Sequence, residues 1–110
     1  MSTSLSIAQV TDATFAAETA TGVVAVDFSA DWCAPCRIFT PVVEAAAQAY
    51  ASRVRVLQVD ADANPALVAR YGVRGLPTTL LFRDGQLVDR VVGAVNKSTL
   101  FERIDRVVGS

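Results

Sequence analysis

A chain of 110 residues is a single domain by size, 1–110, and is long enough to bury a core without disulfide staples. Its apolar fraction of 52 % is high and its charged fraction of 19 % is low for a globular domain, which suggests a sheet covered on both faces. A net charge of −1 leaves no electrostatic footprint for nucleic acid or an anionic membrane, and the absence of histidine excludes it as general base, Cys–His partner or zinc ligand.

The opening residues MSTSLSIAQVTDATF lack both a basic and an apolar leader region, so a secretory signal is not expected. No apolar run approaches the ~18 residues that span a bilayer. A cytoplasmic domain, with no membrane and no nucleic-acid partner, is the expectation. The alternating SLSIAQ near Leu5 to Gln9 allows a weak first strand. With Thr11 or Asp12 as N-cap, ATFAAETA reads as a helix ending at Gly22. VVAVDFS (23–29) is a buried strand by its β-branched, apolar composition.

A helix from about Cys33 to Tyr50 follows, with Phe39, Val42, Val43, Ala46 and Tyr50 along one apolar face. Pro41 inside it removes the hydrogen bond to the Arg37 carbonyl and predicts a kink. VRVLQVD (54–60) is a second buried strand, and Asn64-Pro65 starts a short helix. TTLLF (78–82) and LVDRVVG (87–93) flank Asp84-Gly85, a tight-turn signal that predicts an antiparallel hairpin. A last helix follows Asn96, with Leu100, Phe101, Ile104, Val107 and Val108 inward. The order β-α-β-α-β-α-β-β-α predicts an α/β fold, a mixed sheet with helices on both faces.

Both cysteines of the chain lie in SADWCAPCRIF, Ser29 to Phe39. Residues three apart on a helix share a face, so Cys33 and Cys36 can meet at its N-terminus and form a disulfide. Cys33 lies where unpaired N–H groups and the positive end of the helix dipole favour an anion. Cys36, one turn further in, is expected to be more shielded. A thiolate is the nucleophile, which makes Cys33 the attacking and Cys36 the resolving residue. Other readings of a Cys-x-x-Cys pair are half of a zinc site, a structural disulfide or two inert buried thiols. Zinc needs four ligands and the chain has neither histidine nor a third cysteine; a disulfide closing so short a loop stabilises little. Inert thiols leave the neighbouring Trp32 and Pro35 unexplained.

VVAVDFSADWCAPCRIFTPVVEAAA, ARYGVRGLPTTLLFRDGQLV and VVGAVNKSTL resemble the thioredoxin family, in order and spacing, over nearly the whole chain. The Trp-Cys-x-Pro-Cys core is joined by Leu76-Pro77-Thr78 and by Gly93. The resemblance implies a mixed five-stranded sheet flanked by four helices, and an acidified first cysteine, for which this family is itself a standard example. It implies thiol–disulfide exchange with client proteins that carry disulfides, with no bound cofactor because the cysteine pair carries the electrons. A thioredoxin-reductase-like flavoenzyme drawing on NADPH would recycle a monomeric carrier. A redox-inactive interaction module on the same fold is the alternative.

Pro77 opens a strand; base rates favour a trans Leu76–Pro77 bond, whereas the resemblance implies cis, with the Leu76 backbone facing Cys33. Asp27 is flanked by apolar residues and alternates onto the face opposite Val24, Val26 and Phe28. Burial there raises a carboxyl pKa. The family carries an Asp six residues before its first active-site cysteine, so the resemblance implies that Asp27 accepts or donates the proton of Cys36, through water. Two departures stand out. Gln58 occupies a position where the family commonly has Lys, which leaves Asp27 without a cation, and Ala34 stands in place of Gly. By resemblance, Trp32, Ala34, Pro35, Leu76, Pro77, Val92 and Gly93 form an apolar docking patch around Cys33, with Gly93 leaving room for a partner's backbone.

Overall fold

The computed structural model describes residues 7–109. The described elements are β1 (Ala8–Gln9), α1 (Phe15–Glu18), β2 (Val23–Ser29), α2 (Ala34–Ala49), β3 (Val54–Asp60), α3 (Pro65–Arg70), β4 (Thr78–Arg83), β5 (Gln86–Val92) and α4 (Lys97–Gly109). They make one mixed sheet in the order β1-β3-β2-β4-β5. β2 is parallel to β3, antiparallel to β4, and β4 is antiparallel to β5, as alternating crossovers followed by a hairpin require.

β2 lies at the centre and none of its residues is exposed. Its alternate side chains serve opposite faces. Ala25 joins Val56 and Leu81 beneath Phe39, Val43 and Ala46 of α2 and Leu100, Ile104 and Val107 of α4. Val24, Val26 and Phe28 join Leu57, Val59 and Phe82 against Phe15 of α1 and Leu67 of α3. Two covered faces account for the high apolar fraction, and each large side chain removed from water contributes ~1.5–3 kcal/mol.

The hairpin turn has Asp84 at φ +49° and Gly85 at φ +86°, the backbone that a two-residue turn between twisted strands demands. The Asp84 carboxylate accepts from Gly22 N–H at 2.8 Å, and Asp84 N–H donates to the Gly22 carbonyl at 2.9 Å, tying the turn to the start of β2. α2 continues through Pro41 to Ala49. Asn96 caps α4, its Oδ1 accepting from Thr99 N–H at 2.9 Å.

The N-terminal third differs from the sequence reading. β1 is only Ala8–Gln9, and Leu5 and Ser6 lie outside the described residues. α1 is a single turn, Phe15–Glu18, short of Gly22. Asp12 does not cap it: Asp12 Oδ1 accepts from Leu67 N–H at 3.1 Å, so a residue remote in sequence caps α3. Asp12 N–H in turn donates to Asn64 Oδ1 at 2.9 Å, and Asn64 is the residue preceding α3. Asp12→Ala should therefore destabilise the protein by about 1 kcal/mol in denaturant unfolding, and α3 amides should lose hydrogen-exchange protection before those of α1.

Candidate active site

Cys33 is the N-cap of α2, with an extended backbone at φ −91° and ψ 106°. A cap side chain accepts from the N–H two or three residues on. The residue two on is Pro35, which has no N–H, so the bond falls to Cys36: its N–H donates to Cys33 Sγ at 3.2 Å. The same spacing brings the two side chains together, and Cys33 and Cys36 are joined in a disulfide with Cα atoms 5.3 Å apart. Burial does not distinguish them, contrary to expectation: Cys33 is 4 % and Cys36 2 % exposed. The difference is electrostatic. Negative charge on Cys33 Sγ meets an N–H donor and the positive end of a 16-residue helix, whereas Cys36 lies inside the first turn.

The surroundings of Cys33 come from three strand ends. The Leu76–Pro77 bond is cis, and the Leu76 carbonyl oxygen is 3.7 Å from Cys33 Sγ. Gly93 N–H donates to the Pro77 carbonyl at 2.8 Å, which brings the end of β5 alongside. Gly93 has φ +94°, and a Cβ there would meet nothing within 4 Å; its backbone conformation, not crowding, calls for glycine. Trp32 (67 % exposed) and Val92 (63 %) stand at the surface with Ala34 and Pro35. Leu76 and Gly93 are half-buried, and Pro77 is buried and lies beneath the patch instead of on it.

Trp32 is held in place by a residue the sequence reading did not single out: its indole N–H donates to Asp62 Oδ2 at 2.7 Å. Between them and the Leu76 loop runs an open groove of about 390 Å³, lined by Trp32, Asp62, Val68, Val73, Arg74 and Leu76 among others. Nothing in the acidic run DADAN marks Asp62 as the partner of a tryptophan thirty residues earlier; strand pairing of β2 with β3 brings the two loops together. Among the described residues, no cluster of three or more histidine, cysteine or acidic side chains could hold a metal.

Asp27 is 3 % exposed, on the face covered by α2 and α4 and at the end of β2 that leads into the cysteine pair. Gln58, its direct neighbour on β3, donates from Nε2 to Asp27 Oδ2 at 3.0 Å. Gln9 on β1 donates to Gln58 Oε1 at 2.6 Å and so turns the amide nitrogen of Gln58 toward Asp27. Gln9 is another residue that only the sheet register reveals. Burial pushes the Asp27 carboxyl up to about 6, against the smaller opposing effect of the Gln58 hydrogen bond.

The raised value makes the buried acid a pH-dependent liability. Below its unfolded value of 3.8, folded and unfolded chains both hold the proton, and no penalty exists. Between about 4 and 6 the unfolded chain releases it while the folded chain retains it, so stability falls as pH rises through that window. Above it the loss is complete, about 3 kcal/mol. Asp27→Asn should thus raise unfolding stability by about that amount at pH 8 and by almost none at pH 3, measured on the oxidised protein in denaturant. Gln58→Lys should lower the Asp27 midpoint in carboxyl-carbon NMR, because an ammonium would replace a neutral donor; an unchanged midpoint would show that Gln58 does not govern it.

Comparison with known proteins agrees with this geometry. The thioredoxin family matches residues 6–106. The chain is 50 % identical over 101 residues to thioredoxin 1 of Synechococcus elongatus, covering 90 % of this chain and 94 % of that one. It is 44 % identical over 106 residues to thioredoxin of Porphyra purpurea (94 % and 99 %), and 43 % identical over 102 residues to thioredoxin of Staphylococcus aureus (93 % and 98 %). With its fold, its helix-capping cysteine and its matched length, the chain belongs to the thioredoxin family, and its paired cysteines make it a thiol–disulfide oxidoreductase.

Proposed function

We propose that this protein delivers electrons to protein disulfides through Cys33, with Cys36 as resolving residue and Asp27 as proton carrier. The observation that carries the reading is the disulfide at the first turn of α2, under an exposed apolar surface. In the reduced form, Cys33 thiolate attacks one client sulfur. The client S–S bond breaks, a Cys33–client bond forms, and the other client sulfur leaves as thiolate and takes up a proton. Cys36 then gives its proton to the Asp27 carboxylate, attacks Cys33 Sγ and releases the second client thiolate, which is protonated in turn. Two electrons and two protons pass to the client, and the Cys33–Cys36 disulfide remains. With a carboxyl value near 6, Asp27 exchanges its proton readily around neutral pH.

The Trp32, Ala34, Pro35 and Val92 surface suits an extended apolar client segment. Leu76 offers a backbone carbonyl beside Cys33 for pairing with such a segment, and Pro77 and Gly93 shape the floor. A reductase must return the disulfide to dithiol; we assign that step to a flavoenzyme using NADPH, and the site of action to the cytoplasm, with the carrier working as a monomer. Among the described residues, no helix is long and apolar enough to cross a membrane. A redox-inactive module would need neither a joined cysteine pair nor a buried acid beneath it.

The two cysteines should separate on substitution. Cys36→Ser is expected to accumulate mixed disulfides with clients, visible on non-reducing gels, and Cys33→Ser almost none; the reverse would invert the assignment. In an insulin-turbidity assay with dithiothreitol, both variants should fall to the rate of dithiothreitol alone, and a wild-type protein that does no better would remove the reading. NADPH oxidation with a purified flavoprotein reductase and insulin tests the recycling step.

A further inference from the structure

The two carboxyl oxygens of Asp27 stand in different situations. Oδ2 accepts the Gln58 amide, itself oriented by Gln9. Oδ1 is buried and has no hydrogen-bond partner. Directly opposite Asp27 on β4, and therefore on the same face of the sheet, is Thr79, 3 % exposed. Its Oγ1 is likewise buried with no partner. These are the two orphaned side-chain oxygens among the described residues, and they belong to one cross-strand pair.

Native interiors leave few such atoms unsatisfied, and a polar pocket between two of them is where a buried water sits. Opposed residues on neighbouring strands hold their Cβ atoms ~4.5–5.5 Å apart, a span that one water can bridge between their polar ends. The proton inventory makes this side of the carboxyl the important one. An amide N–H prefers the carbonyl oxygen of a neutral acid, so with Gln58 on Oδ2 the acid proton resides on Oδ1.

We propose that Thr79 is a positioning residue for the proton of Asp27: its hydroxyl and Asp27 Oδ1 share one bound water, which keeps the proton received from Cys36 on that oxygen. This rests on the reading of Asp27 as proton carrier. The bridge serves both protonation states. When Asp27 is neutral, Oδ1–H donates to the water and the water donates to Thr79 Oγ1. When Asp27 is ionised, the chain of donors reverses, Thr79 O–H to water and water to Oδ1. The second arrangement is charge-assisted and the stronger, so Thr79 holds the Asp27 midpoint down.

The neighbours of the carboxyl add no competing charge. From β3 it faces Gln58 and from β4 Thr79, both uncharged. The side chains of α2 and α4 that cover this face, Phe39 and Ile104 among them, are apolar. At this end of α2, Cys33 and Cys36 do not titrate while joined, and Arg37 is exposed with its guanidinium donating to the Asp31 carbonyl. Burial and the Gln58 hydrogen bond are the influences that act on the carboxyl from the protein.

The test uses the oxidised protein, in which Asp27 titrates without interference from thiols. Thr79→Val keeps the branched shape and removes the hydroxyl; it should raise the Asp27 carboxyl-carbon midpoint by about one pH unit. Thr79→Ser, which restores the hydroxyl and drops a methyl, should return it to the wild-type value. In the reduced protein, the pH profile of mixed-disulfide release should move with the Val substitution by the same amount. A Val variant that titrates like wild type, or a Ser variant displaced as far as the Val variant, would overturn the proposal. The role of Asp27 is read apart from this: an Asp27→Asn protein that reduces insulin at the wild-type rate would defeat the proton-carrier reading, while the midpoint still judges the Thr79 contact alone.

Discussion

An α-helix begins with N–H groups that no carbonyl of its own can reach, and in this protein a cysteine sulfur takes one of them. Cys33 caps α2 through a bond from Cys36 N–H, and Pro35 between them has no N–H to compete. Much follows from that one contact. It sets the extended backbone of Cys33, aligns its sulfur with the helix dipole, and brings the Cys36 side chain within bonding reach. Capping and redox chemistry thus use the same spacing. A serine at the cap would serve the helix equally well, but only sulfur makes the cap a nucleophile.

The sheet makes that helix end dependable. β2 feeds α2, β4 starts just after the cis Leu76–Pro77 bond, and β5 ends at Val92, just before Gly93, so three neighbouring strand termini lie near Cys33. Cores on both faces hold these strands in register. Packed elements thus fix the geometry around the cysteine pair. Trp32 illustrates the economy: its ring is exposed, yet the Asp62 hydrogen bond holds its orientation.

Beneath the cysteines, the sheet carries a polar row across four strands: Gln9, Gln58, Asp27 and Thr79. It is uncharged apart from Asp27 itself. Burial dominates over the Gln58 hydrogen bond, and the carboxyl is raised to about 6. Above that value the buried carboxylate costs the folded state stability. Within that row the Gln58 amide bonds the carboxyl and opposes the effect of burial without cancelling it.

The strands Val23–Ser29 and Val54–Asp60, the Asp84-Gly85 hairpin, the helix after Asn96 and the cysteine pair could all be recognised from residues near one another in the chain. Local composition, turn chemistry and three-residue spacing act over one or two turns, and such signals survive in one dimension. The burial of Asp27 was legible for the same reason, from the apolar residues on either side of it. What the chain could not reveal by itself was decided by partners far apart in sequence. Asp12 caps α3 instead of α1, Asp62 fixes Trp32, Pro77 sinks below the surface, Gln9 holds the Gln58 amide that bonds Asp27, and Thr79 is placed opposite Asp27 on β4. Each depends on strand order and register, which arise only when both faces of the sheet are packed.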